Sequence, residues 1–540
     1  MDYEKEIDPR AIWEEYQRIV SYMTEKKVYQ TVKKNEDFFE GRHWEGMADN
    51  VEIAKPTMNI LQRIGKYQIA MLSGNDIGVQ IKSPLGKEDE NTLLAAISNE
   101  VKSVIEQAKI NEASRIVIRN AYVGGACYMM QSFDADYETG QESKGKINNE
   151  VINVRRMHFG NPYSNDIQKQ PYIIVTLRQY IDQVKEEAEE MGVKNIDDIK
   201  ADSDEENIDD DTSDKLVTVL IKFYKKKTKI QVPKVIVNEL GEPQEIIEEK
   251  EVKTVHFVKC TKDVVIIPET DLGYTRYPIS RFGWDHREDS FLYDTPMTWN
   301  IVNQVFINKS YAYCHEYAFK SAFPKRIYDQ VKIDIDDWDA NNDIGVAGAD
   351  QMGKVLDFSK MPDFSNQIIE LIQQTEDEME KNMGVNDAAL GNIKPDNASA
   401  IAQLQEAAAV PLKIQENNRD EMWEDTIRNI IDIMIASYGI REVLDEDNKP
   451  MIIDFTQLKG MNYKLDIDTG SSAPFSEIGQ LNTLQTLFNS GQIPLTQFLK
   501  VYPAKYIAGR DELLKYAEEK EQMEKQLAQL QTQQQSLGVK

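Results

Sequence analysis

The chain has 540 residues, 41% of them apolar, with 17 Phe and 24 Tyr. That is too long for one core and apolar enough to bury several, which excludes disorder as the dominant state. Its 63 basic residues stand against 92 acidic ones, a net charge of −29, the wrong sign for tight, static binding to nucleic acid by phosphate neutralisation, though not for passing contact.

Three scattered cysteines, Cys127, Cys260 and Cys314, argue for a reducing compartment and against a disulfide framework or a zinc site. With no leader-like start and no apolar run of membrane-spanning length, the expectation is a soluble chain made in a cytoplasm. Pro9 to about Phe39 carries Ile12, Trp13, Tyr16, Ile19, Val20 and Met23 at helical spacing and reads as one helix stopped at Gly41. A second helix is expected over Met58 to Met71, a short strand over Val79 to Lys82, and two further helices over Asn91 to Lys109 and Glu112 to Val123, stopped by Gly124-Gly125. Ala126 to Phe133 and Glu150 to Met157 have the pattern of a hairpin. Its loop, Gly140-Gln141-Glu142-Ser143-Lys144-Gly145-Lys146, matches the spacing of a phosphate-binding loop. Ile147, however, stands where Ser or Thr must hold magnesium, and such a loop must open a helix, so the stretch reads as a polar hairpin tip.

Leu177 to Met191 reads as a charged helix. The acid-rich run from Asp197 to Asp214 reads as a solvated loop, or as an acidic surface that repels DNA or a wrong partner. A β-meander pattern follows over Leu216 to Tyr224, Ile230 to Val237, Val252 to Val258 and Val264 to Ile267, with Lys225-Lys226-Lys227 in a turn. The histidines (His43, His158, His256, His286, His315) lack metal-binding spacing and read as structural. Asp466 and Asp468 share one face of a strand from Tyr463 to Asp468, a carboxylate pair without further acidic partners. No catalytic residue, cofactor or metal site emerges.

From Tyr293 to Tyr438 the pattern is three helices with two interruptions. Thr295 as N-cap and Pro296 at the first position open a helix that runs to about Phe323. Its apolar residues, among them Ile301, Val302, Phe306 and Tyr313, cover more than one face, so it needs neighbours on several sides: the core of a large domain, or copies of itself. Pro324 ends it, and Lys325 to Phe358 reads as a small module of short strands and turns. The chain returns over Asp363 to Met383 as the second arm of an antiparallel pair. Gly384 stops this arm, Val385 to Pro395 is a long loop, and a third helix, capped by Asn397 or Ser399, is kinked at Pro411 and ends near Tyr438.

Three blocks follow one another in a telling order. They are Phe38-Phe39-Glu40-Gly41-Arg42-His43-Trp44; Pro56-Thr57-Met58-Asn59 with Ile64 and Met71-Leu72-Ser73-Gly74; and Met383-Gly384-Val385-Asn386-Asp387-Ala388-Ala389-Leu390-Gly391 with Asn397-Ala398-Ser399-Ala400-Ile401 and Gln405-Glu406. In this order the chain resembles the portal proteins of tailed bacteriophages along nearly its whole length; the acidic insert at 197–214 and the sequence of the module at 324–362 depart from the pattern. The resemblance implies a multidomain α+β portal fold: a wing over 1–292, stem helices over 293–323 and 363–383, a clip over 324–362, a channel loop over 384–397, a kinked helix and further wing over 398–470, and a helical crown over 471–540. In the crown, Tyr516, Met523 and Leu530 repeat every seventh residue, with Leu527 between them.

The resemblance further implies a non-enzymatic ring, usually of twelve copies, at one capsid vertex of the virion, assembled in the host cytoplasm and away from membranes. Double-stranded DNA would be packaged and ejected through it. Its partners would be the large terminase subunit, the major capsid or scaffold protein and a head-completion adaptor. Val385, Asn386, Leu390, Asn392 and Lys394 would lie on the DNA-channel loop, Pro411 would set the helix kink, and Glu370, Glu376, Asp377 and Glu380 are candidates to line the channel. The rival readings are a DNA-packaging enzyme, either ATPase or nuclease, and a virion structural protein without a channel.

Overall fold

The computed structural model describes residues 7–45, 54–73, 78–82, 88–139, 144–202, 216–237, 243–332, 343–346, 356–359, 365–385, 410–444, 450–459, 463–468 and 474–502, with 507, 509–510, 513–517, 519–520 and 523. The chain divides into two compact units, one of residues 1–392 with 408–469 and one of 393–407 with 470–540.

The larger unit opens with two helices, not one: α1 (Pro9–Glu25) and α2 (Val28–Phe39). The break falls at Lys27, whose φ is +58°, so the apolar rows of the two helices face different neighbours. After the break α2 buries Asn35, Phe38 and Phe39, and Asn35 Nδ2 donates to the Val123 carbonyl at 2.7 Å. Then come α3 (Ile60–Leu72), capped by the Asn59 side chain, β1 (Gly78–Lys82), α4 (Glu88–Gln107) and α5 (Ile110–Gly124). β2 (Ala126–Asp134) and β3 (Lys146–Asn153) form a hairpin, with Asp134 opposite Lys146; its second strand lies four residues earlier than the expected Glu150 to Met157, because Val154–Arg156 form a 3-10 turn and Met157 opens a strand of the next sheet. Lys146 therefore begins a strand and no helix follows the loop, of which residues 140–143 lie outside the described ones.

A five-stranded antiparallel sheet follows in the order β4 (Met157–Phe159), β5 (Tyr172–Tyr180), β6 (Leu216–Val237), β7 (Pro243–Cys260) and β8 (Val265–Asp271). Here the structure corrects three expectations. Leu177 to Tyr180 are strand, because they pair with Val219 to Leu216, and the helix α6 starts only at Ile181 and ends at Glu190. Lys225 to Lys227 lie within β6, not in a turn: Lys225 sits over the Tyr277 ring, while Lys226 and Lys227 pair with Glu269 and Glu251. The start of the acidic run is packed, not a solvated loop: Ile199 is 1% exposed, and the Asp202 carboxylate accepts from the Thr218 hydroxyl at 2.6 Å. Residues 203–215 lie outside the described ones.

β9 (Ile279–Gly283) joins β2 on the side away from β3. The helix α7 (Pro296–Ala322) follows, then a small sheet with β12 (Arg326–Asp329) between β13 (Asp343–Val346) and β14 (Leu356–Phe358), then α8 (Asn366–Asn382); β10 (Asp285–His286) and β11 (Tyr293–Asp294) form a short ladder before α7. The Arg326 guanidinium grips the buried Asp343 carboxylate in a two-pronged pair. Pro411 sits in a 3-10 turn over Val410–Leu412, and the α-helix there, α9, starts at Lys413 and ends at Ser437. Residues 397–409, where the kinked helix was expected to begin, lie outside the described ones. A hairpin, β15 (Ile440–Leu444) and β16 (Pro450–Asp454), comes next, and β17 (Lys464–Asp468) returns to pair with β1. In β17, Asp466 takes the Lys82 ammonium as its partner at 2.9 Å. A main core runs through this unit, with Tyr122, Tyr128, Trp284 and Trp423 all but fully enclosed, and two smaller clusters flank the five-stranded sheet, one around Tyr16 and Ile174 and one around Val184 and Ile266.

The smaller unit holds α10 (Pro474–Asn489) and α11 (Leu495–Val501) around Phe498, Leu499 and Ala517, with the rings of Phe488 and Phe498 stacked at 4.6 Å. Tyr516 and Met523 are exposed; Leu527 and Leu530 lie outside the described residues. Among the described residues no group of His, Cys, Asp and Glu is placed to hold a metal, and no helix is long and apolar enough to cross a membrane.

Candidate functional site

The helices α7 and α8 and the base of the segment between α8 and α9 carry most of the residues singled out in the sequence. The 27 residues of α7 span about 40 Å at about 1.5 Å per residue. The Thr295 hydroxyl accepts from the Met297 amide, and Pro296 supplies a helical φ at a position with no hydrogen bond to lose. One side of α7 is core: Met297, Ile301 and Ile307 are buried. The other side is bare. Trp299, Val302, Phe306 and Tyr313 are 61, 71, 39 and 60% exposed and follow one another at three-, four- and seven-residue steps, which puts them on a single stripe.

The inward side is fixed by polar groups as well as by packing. Gln304 Oε1 accepts from the Ile60 and Leu61 amides at 3.0 and 3.3 Å, in the first turn of α3, where the helix itself supplies no acceptor; the Ile60 amide is shared with the Met58 carbonyl at 2.9 Å. Asn308 Oδ1 accepts from the Met58 amide at 3.2 Å, and its Nδ2 lies 2.6 Å from His43 Nδ1. With His43 Nε2 2.8 Å from the Phe38 carbonyl, the ring is neutral, Nε2 donating and Nδ1 accepting; burial holds its pKa below the usual histidine value. Asn300, Gln304 and Asn308 stand four residues apart in an otherwise apolar helix. That spacing was the one available signal for this row, which sequence reasoning missed, as it missed Trp299.

α8 runs antiparallel to α7. The Lys325 carbonyl accepts from the Ser359 amide at 2.8 Å, and Tyr311 is near enough to Glu376 that, after burial, the carboxylate's charge raises the phenol further. Ile372 and Met379 are its buried residues. Of the four acidic candidates, Glu370 and Asp377 are exposed and Glu376 is half-buried. Burial raises the Glu376 carboxyl; Arg63 opposes this, and Glu380 and Asp377 add to it. Glu380 already has a partner in Arg63, at 2.7 Å.

The helix ends in a tight cap. The Val385 amide donates to the Glu380 carbonyl at 2.9 Å and the Gly384 amide to the Lys381 carbonyl at 3.0 Å, with Gly384 at φ +69°, a pairing that only a left-handed residue permits. The structure places Val385 in the core at 3% exposure, as a foot of the following segment and not on its surface. Gln68 Nε2 clasps the Met383 carbonyl at 2.6 Å, and Arg419 from α9 donates to the Leu72 carbonyl at 3.1 Å, so α3 ties both feet. Asn386, Leu390, Asn392 and Lys394 lie outside the described residues.

A family model described as "Phage P22-like portal protein" matches residues 14–538. Among solved structures the chain is similar to one from "Virion of native gene transfer agent (GTA) particle", at 10% identity, with 86% of this chain and 91% of that chain covered and a TM-score of 0.36. No curated protein matches the chain.

Proposed function

The chain belongs to the phage P22-like portal protein family, whose members are structural, non-enzymatic capsid components, and on that premise we propose that copies of it close into a ring at one capsid vertex. In this reading the ring, usually of twelve, surrounds a channel through which double-stranded DNA is packaged and ejected. The large terminase subunit, the capsid or scaffold protein and a head-completion adaptor dock on it, and assembly takes place in the host cytoplasm. α7 and α8 serve as the stem, residues 324–362 as the clip, 384–397 as the channel loop and 471–540 as the crown, with wing material on either side of the stem.

The observation that carries the ring is the bare stripe of Trp299, Val302, Phe306 and Tyr313. A helix with one face in its own core and a second apolar face in water gains by burying the second against another copy. Charge supports the channel. A chain of net −29 offers moving DNA few phosphate anchors, so sliding is favoured over holding. Glu370 and Asp377, exposed on α8, suit such a lining better than Glu380, which is spent on Arg63. The loop residues Asn386, Leu390, Asn392 and Lys394 would meet the DNA, with Val385 anchoring them.

Electron microscopy of the purified chain tests this reading. A ring with an open centre is the expected image; a persistent monomer, a shell lattice or a tube overturns it. Absence of ATP hydrolysis by the same preparation separates it from the packaging-enzyme alternative.

A further inference from the structure

The buried polar row that ties α7 to the start of α3 has a direction. His43 Nε2 donates to the Phe38 carbonyl at 2.8 Å, which leaves Nδ1 with a lone pair, and Asn308 Nδ2 donates into it at 2.6 Å. Asn308 Oδ1 then accepts from Gln304 Nε2 at 3.1 Å and from the Met58 amide at 3.2 Å. Gln304 Oε1 in turn accepts from the Ile60 and Leu61 amides. His43, Asn308 and Gln304 are 2, 2 and 0% exposed, so a member that loses its partner leaves a buried polar group unmet.

A side-chain amide has one accepting end and one donating end, so each member fixes the next. Asn308 cannot turn its oxygen to the ring without aiming Nδ2 at two donors, the Met58 amide and Gln304 Nε2. Turning Gln304 as well only moves the conflict to the Ile60 and Leu61 amides. The one member whose polarity can change is His43, because an imidazole accepts at Nδ1 when neutral and donates at both nitrogens when charged. Around it, the charged side chains are Lys34, Asp37 and Glu40 on α2, Arg42 and Glu45 beside it in the chain, Arg63 on α3 and Lys309 on α7. Arg42 holds Asp37, Glu40 and Glu45, Arg63 holds Glu380, Lys34 stands over the Phe38 ring at 6.0 Å and Lys309 is exposed. Among the described residues, the ring nitrogens meet the Phe38 carbonyl and Asn308, and no charged group.

We propose that the His43–Asn308–Gln304 row is an acid-operated latch: a proton taken from solvent onto His43 Nδ1 sets two donors against each other at Asn308 and releases α7 from the Met58–Leu61 stretch. Burial disfavours the charged ring, so the latch is closed at neutral pH. The backbone bonds of α7 are untouched by the proton. What opens is the joint between α3 and the helix that carries the bare stripe.

Hydrogen–deuterium exchange of the full chain, read by mass spectrometry and corrected for the pH dependence of intrinsic exchange, tests this. Between pH 7.5 and 4.5 the amides of Met58, Ile60 and Leu61 should exchange at least tenfold faster, while those of α5 keep their protection. His43→Asn puts an oxygen that takes no proton near the Nδ1 position and should abolish the gain. Asn308→Asp should remove it by the opposite route. One carboxylate oxygen serves Met58 and Gln304 and the other accepts from the charged ring, so protection at pH 4.5 should be at least as great as at pH 7.5. Unchanged exchange of the stretch in the unaltered chain overturns the proposal. So does a gain shared by α5, which is general unfolding, or a gain that persists in His43→Asn, which assigns it to another group. Should His43→Asn not fold, Asn308→Asp decides: a stretch freed by acid in that variant also overturns the latch. Ring assembly is read separately, so failure of the latch leaves the portal reading standing.

Discussion

Gly384 and Pro411 meet across the two ends of the segment that joins α8 to α9: a β-carbon at position 384 would lie 2.7 Å from the proline's Cβ. Gly384 also has φ +69°, and Gly439 a similar +62° but with nothing within 4 Å of an added β-carbon. The pair separates two costs. Ala at either site pays about 1–2 kcal/mol for the left-handed backbone. Only at 384 must Pro411 give way as well. Urea unfolding should therefore show a larger loss for Gly384→Ala than for Gly439→Ala; equal losses would mean that the two feet of the segment are not held in contact.

Much of this architecture was legible where local chemistry decides it. Thr295-Pro296 marks the start of α7 because a hydroxyl cap and a fixed φ act within one turn, and Gly384 marks the end of α8 for a similar reason. The misses lie where distant partners decide. Leu177 to Tyr180 look helical beside Ile181-Asp182-Gln183-Val184, but pairing with a strand some forty residues on holds them extended. Lys225 to Lys227 look like a turn because lysine is rarely a strand residue; they become one because Tyr277, Glu269 and Glu251 receive them. The break at Lys27 carries no glycine to announce it. At the candidate site, apolar residues on several faces of α7 were readable, but which face stays bare depends on α3 and α8.

Gln304 is fully buried, and its side-chain oxygen serves the Ile60 and Leu61 amides together. Gln304→Leu keeps approximate volume and removes that acceptor; the Ile60 amide keeps the Met58 carbonyl at 2.9 Å, but the buried Leu61 amide is left unmet, at a cost of about 1–3 kcal/mol. Denaturant unfolding should show that loss, whereas Lys309→Ala, on the exposed side of the same helix, should leave the midpoint in place. A midpoint unchanged by Gln304→Leu would show that α3 is capped by other means.

Burial pushes the His158 imidazole down to about 4, against an ordinary value near 6.5 in the unfolded chain. The folded state thus favours the neutral ring, and between those values the unfolded chain binds more protons. The contribution is full above about pH 6.5 and falls away as pH drops toward 4, a loss on the order of 3 kcal/mol. His43 is shifted in the same direction. Asp432, whose carboxyl is raised by burial, acts oppositely, so the informative quantity is the difference between proteins. His158→Gln should unfold with a shallower dependence on pH between 4 and 6.5 than the unaltered chain; parallel curves would mean that His158 does not titrate with unfolding.

The two sides of α7 should respond differently to substitution. Val302 and Phe306 are 71 and 39% exposed on the bare stripe, while Ile307 next to them is fully buried. Charges at the stripe, in V302E/F306E, remain solvated in the single chain and should leave its unfolding midpoint nearly unchanged. In an assembly the same carboxylates would be trapped without partners, so sedimentation velocity should show the ring lost in favour of monomer. Ile307→Ala should do the reverse, costing the single chain about 2–5 kcal/mol through the cavity it leaves, with any assembly defect following from that instability. A V302E/F306E chain that still sediments as a closed ring would place the contact between copies elsewhere, and the bare stripe would then need another neighbour.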